Sequence, residues 1–197
     1  MPGDCAKALG FWTVGIQYLH LVQSISNETH QQGNAHFVVS NTEITATAYA
    51  EATKWSDHNL VIPLLFNFYH GLEVILKGYI HANESGAIHS HKLSELLTTF
   101  KSYHPCSPLN ALFEKYIIQT KLPAILAEFC STSSITIDEY YQALKYPEST
   151  RGNQYHHHPL KNREAEGANF FAELRDDIER IRIESVASGR IICPQEA

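Results

Sequence analysis

The sequence predicts an all-α fold, a helical bundle with additional short helices. Two observations carry this. Apolar residues recur at three- and four-residue spacing in every long apolar stretch, and short polar or proline-bearing segments punctuate those stretches. With 197 residues, 44% hydrophobic and 18% charged, the chain has the usage of a globular protein and enough length for a substantial core. No internal repeat or linker divides it, so residues 1-197 are expected to form a single domain.

Taken in order, Leu9, Trp12, Ile16, Leu19 and Val22 mark one face of a first helix over 6–25, and the polar run 26–34 is expected to be a loop. A brief extended stretch is expected at 36–40. Asn41 or Thr42 can cap a second helix reaching about Trp55, and Asp57 can cap the third. That third helix, 59–82, places Pro63 where a missing amide does least harm. Leu64, Leu65, Phe68, Leu72, Ile75, Leu76 and Tyr79 form its apolar face, and Asn67, His70, Glu73, Lys77 and His81 gather opposite. Gly71 and Gly78 each cost about 1 kcal/mol relative to alanine, so close approach of another backbone is expected there.

A turn is expected at 84–87. Ser90 then caps a helix carrying Leu93, Leu96, Leu97 and Phe100, which stops before Pro105. Helical spacing returns over 108–121, in a short apolar element at 122–129, and in a short helix after Ser134 or Thr136. A loop over 146–167 precedes the last helix, whose inward face is Phe171, Leu174, Ile178 and Ile181. Glu173, Arg175, Asp177, Glu179 and Arg180 are expected to face outward.

A formal charge of -6 removes the overall basic excess that accompanies extensive phosphate binding and leaves room for a local RNA site. Cys5, Cys106, Cys130 and Cys193 form no CxxC pair, so zinc-knuckle and thioredoxin-like readings lack support. Reduced, buried thiols are expected in a chain with a good core, which points to the cytoplasm. The segment from Met1 to Asp4 lacks the basic start of a signal peptide, and polar residues interrupt the apolar run 60–80, so no membrane association is expected.

Three segments carry a family resemblance. They are Pro63-Leu64-Leu65-Phe66-Asn67-Phe68-Tyr69-His70-Gly71-Leu72-Glu73-Val74-Ile75-Leu76-Lys77-Gly78, then His91-Lys92-Leu93-Ser94-Glu95-Leu96-Leu97, then Tyr141-Gln142-Ala143-Leu144-Lys145-Tyr146-Pro147. Together they resemble the "hGxExxLK", "HxLxxL" and "RYP"-like segments of the HEPN-like superfamily. The resemblance implies a compact helical bundle, commonly a homodimer, found in ribonuclease toxins, nucleotidyltransferase partners and non-catalytic modules.

RNA-cutting members of that superfamily carry an arginine and a histidine separated by four to six residues. Arg151-Gly152-Asn153-Gln154-Tyr155-His156 has that spacing, but it places glycine directly after the arginine and lies before the last helix. Metal-independent RNA cleavage needs a histidine to move protons and a cation to stabilise phosphate charge, so Arg151 and His156 are the candidate catalytic pair. Asn67, His70, Glu73 and Lys77 form the candidate ligand-binding stripe, whose alternative is a structural polar network. The tract His156-His157-His158 lacks the spacing of a metal site, and no metal or cofactor is expected.

Two function classes follow. One is a dimerising binding or interaction module of a nucleic-acid-related or defence system, with RNA or a nucleotidyltransferase-type protein as partner. The other is an endoribonuclease, a toxin or phage-defence effector, using Arg151 and His156.

Overall fold

The computed structural model describes residues 3–84, 86 and 88–194. The fold is all-α: among the described residues eight α-helices run α1 (Cys5–Gln31), α2 (Ala46–Thr53), α3 (Asp57–Asn83), α4 (Leu93–Tyr103), α5 (Leu109–Ile117), α6 (Ala124–Ser133), α7 (Tyr140–Ala143) and α8 (Glu164–Ile192). Among the described residues there is no strand, only an isolated antiparallel bridge between Glu148 and Gln154. The region expected to be extended at 36–40 is irregular. Ser85 and Ala87 of the expected turn lie outside the described residues.

Helix α3 is the axis of the bundle. It is buried around most of its circumference, and α1, α4 and α7 pack against it. Leu65, Phe68, Leu72, Ile75 and Leu76 are fully buried, as are Phe171, Leu174 and Ile178 of α8. The longest helix is α8 at 29 residues, two more than α1 and α3. Helix α3 is also long and apolar enough to cross a membrane, but most of that stretch is enclosed by the other helices.

Small residues set the α1–α3 spacing. A Cβ on Gly15 would lie 2.6 Å from Ile75 Cγ1, and one on Gly71 would lie 2.9 Å from Leu19 Cδ2. Trp12 fills the next layer, with its pyrrole edge where a Cβ on Gly78 would stand. The backbone approach expected at Gly71 is made by α1 at Gly15, whereas at Gly78 the neighbour is the Trp12 side chain rather than a backbone.

Several boundaries differ from the sequence reading for tertiary reasons. Helix α1 continues to Gln31 because its polar last turns have partners on α8: Arg175 donates to Asn27, and His30 Nδ1 lies 3.1 Å from the Ala168 carbonyl. Thr45, rather than Asn41 or Thr42, caps α2 by accepting from the Ala48 amide. Thr136 and Glu139 form a reciprocal capping box before α7.

Asp57 lies inside the first turn of α3 instead of capping it. Its carboxylate accepts from the Asn162 and Arg163 amides at 2.6 and 2.8 Å and from Asn34 Nδ2 at 2.8 Å, while its own amide donates to Asn34 Oδ1 at 2.6 Å. This buried latch ties the segment after α1 and the loop before α8 to the start of α3. Asn34 and Asn162 sit in the left-handed region, which asparagine tolerates better than most residues.

Two further expectations are corrected. Asp177 does not face outward; it is buried and accepts from Tyr116 Oη at 2.9 Å and from Lys115. The cysteines are not all reduced thiols. Cys5 and Cys193 form a disulfide with Cα atoms 5.5 Å apart, leaving Cys106 exposed and free and Cys130 buried and free. Their separation of 188 positions gave no local signal; they meet because α1 and α8 lie side by side.

Candidate functional site

On α3 the spacing of Glu73 and Lys77 places one a turn above the other, and both are buried. Lys77 Nζ donates to Glu73 Oε1 at 2.8 Å. His91, from the segment leading into α4, brings Nδ1 to 2.9 Å from the same oxygen and to 3.5 Å from Lys77 Nζ. The Tyr140 hydroxyl, at the start of α7, donates to Glu73 Oε2. One carboxylate thus gathers groups from α3, the α4 entrance and α7.

Burial by itself would raise the Glu73 carboxyl. Hydrogen bonds from Lys77, Tyr140 and His91, with the Lys77 charge, outweigh it and hold the group below its ordinary value. Glu73 is therefore ionised at neutral pH. Burial, reinforced by the bond to Glu73, pushes the Tyr140 phenol well up. The side chain of His91 is 72% exposed, so it forms the solvent edge of an otherwise enclosed cluster.

His70 lies one turn before Glu73 on α3. Its ring packs edge-on to Tyr18 with centroids 4.7 Å apart and stacks on Phe66 at 6.2 Å. Burial lowers its pKa against the attraction of Glu73, with Lys77 adding to the lowering. Asn67 does not join the cluster; its Nδ2 donates to the Pro63 carbonyl at 2.7 Å on its own helix. Of the expected stripe, the structure brings together Glu73, Lys77 and, alongside, His70.

Arg151 and His156 lie elsewhere, in the segment between α7 and α8. Ser149 receives the Arg151 amide, Gly152 has φ +79°, and Tyr155 anchors the return by donating its amide to the Pro147 carbonyl. Arg151 is exposed, and its guanidinium has no hydrogen-bond or ion-pair partner among the described residues. His156 is exposed, with its amide donating to Ser133 Oγ at 2.9 Å. It helps wall a polar depression of about 410 Å³ with Thr132, Ser134 and Glu139; Arg151 is not on that wall. The middle histidine of the tract is structural: His157 stacks on Phe129, and its Nε2 lies 2.6 Å from the Ala143 carbonyl.

Reading the sequence alone missed two members of the Glu73 cluster. His91 had a signal, since it opens the "HxLxxL"-like segment, but nothing in that spacing ties it to Glu73. Tyr140 had none beyond its place directly before the "RYP"-like segment. Among the described residues no group of three or more histidine, cysteine or acidic side chains is arranged to hold a metal ion. The sequence matches no family model, no curated protein and no solved structure.

Proposed function

We propose that this chain is a HEPN-like dimerising interaction module of a nucleic-acid-related or defence system, with RNA or a nucleotidyltransferase-type protein as its partner. The observation that carries the reading is the meeting of two resemblance segments at Glu73, where Lys77 and His91 share Oε1, with Tyr140, directly before the third segment, on Oε2. An enclosed carboxylate that is bonded to three groups from three parts of the chain holds helices together rather than turning to a substrate. His91 alone presents the cluster to solvent.

A second reading, a metal-independent endoribonuclease, is favoured by the Arg151 guanidinium, which has no partner among the described residues, and by His156 on a polar depression beside Glu139. Single-turnover incubation of a mixed RNA pool with chelator separates the two. The module reading expects uncut RNA from wild type, Arg151→Ala and His156→Ala alike. Chelator-resistant cutting that vanishes in each variant would establish the nuclease instead, because residues acting as a unit fail together.

A further inference from the structure

Along α8, Glu179, Ile183, Val186 and Arg190 follow 4-3-4 spacing and form one stripe on the side adjoining α1. Ile183 is 60% exposed and Val186 40% exposed. The stripe borders two adjoining depressions of about 520 and 480 Å³ between α8 and α1, which share Ile16, Val186 and Arg190 as lining. Neither Glu179 nor Arg190 has an ion-pair partner among the described residues.

The charges are placed symmetrically. Glu179 and Arg190 lie equally far on either side of the point midway between Ile183 and Val186. A second α8 laid antiparallel about a two-fold axis through that point sets Ile183 against the other copy's Val186 and Glu179 against its Arg190, twice over. A parallel arrangement would set Glu179 against Glu179 and Arg190 against Arg190, which repel.

We propose that this α8 stripe, with the adjoining α1 trough, is the face on which two copies of the chain pair, antiparallel and isologous, with Glu179 and Arg190 selecting the register. The proposal rests on the dimerising reading above and adds where the partner sits and how it is oriented. Apolar burial of Ile183 and Val186 supplies attraction, and the crossed charges supply orientation.

Sedimentation equilibrium on the full chain at low salt tests it, using wild type, Ile183→Glu, Glu179→Arg, Arg190→Glu and the double exchange Glu179→Arg with Arg190→Glu. All changed positions are at the surface, and circular dichroism checks that each variant keeps its helix content. Each single change is expected to weaken the dimer by at least about tenfold, and the double exchange to restore it to within about threefold of wild type. A wild-type dimer that none of the changes weakens overturns the proposed face and leaves the dimerising reading standing. Failure of the double exchange to rescue overturns the antiparallel register. A wild-type monomer overturns both, and a monomer carrying an apolar adduct in native mass spectrometry assigns the trough to a small ligand instead.

Discussion

His91 Nδ1 lies 2.9 Å from Glu73 Oε1, although 18 positions separate the two residues and one is enclosed while the other is largely in solvent. The pair links the chain entering α4 to the middle of α3, and the rest of the cluster fixes what each member contributes. Glu73→Ala is expected to destabilise by about 3–5 kcal/mol, because it leaves the Lys77 ammonium buried without its partner. Tyr140→Phe should cost about 1–3 kcal/mol by removing one donor to a buried carboxylate. His91→Ala should cost less than about 1 kcal/mol, since water and salt screen an exposed partner. Urea unfolding of the three variants checks the order; an equal cost for His91→Ala and Glu73→Ala would contradict it.

The latch at Asp57 predicts that Gly167→Ala is poorly tolerated. A Cβ there would lie 2.4 Å from Asn34 Nδ2 and 2.9 Å from Asp57 Oδ2, both in a buried network with little freedom to move. In an ordinary helix the same exchange stabilises by about 1 kcal/mol. Here thermal unfolding should show a clear loss, and a gain would mean that the start of α8 packs less tightly than described.

Three histidines set the expected pH response. Burial lowers the pKa of His70, His81 and His104, with neighbouring Lys77 and Lys7 contributing at the first two. The unfolded chain therefore takes up protons first as pH falls. Stability from these groups is complete above about pH 6.5 and is lost as pH drops through the lower, folded values. Glu73, also lowered, extends the loss further into acid. A Tm that falls between neutral pH and mildly acidic pH, and falls less in His70→Gln, is the expected result; an unchanged slope in that variant would remove His70 from the account.

The cysteines make a prediction that can be counted. Native protein without reductant should be alkylated at Cys106 only, because Cys130 is buried and its thiol is pushed up to about 11 by that burial. Unfolding without reductant should expose Cys130 as well, and reduction should release Cys5 and Cys193. Closing so long a stretch of chain is expected to contribute about 3–5 kcal/mol. Four reactive cysteines in the unfolded, unreduced protein would instead match the thiols anticipated from the sequence.

Much of the fold was legible in the sequence because periodicity reports which face of a helix is apolar. The core residues of α3 and α8, the glycines that admit α1, and the stop before Pro105 all followed from local pattern. Periodicity does not report how many neighbours surround a helix. Glu73 and Lys77 therefore read as a polar stripe open to either a ligand or a network, and the last turns of α1 after residue 25 read as a loop, until α4, α7 and α8 were placed around them. Asp57 illustrates the same limit: its partners at Asn34, Asn162 and Arg163 are far away in sequence, and nothing local distinguishes it from an ordinary cap.

The claim on which the functional reading depends is that the chain works as a pair of copies. Light scattering of the unmodified full chain at roughly tens of micromolar, where a stable interface would persist, tests it directly. The expected mass is about twice the 22.2 kDa of one chain. A mass of one chain across that concentration range would contradict it.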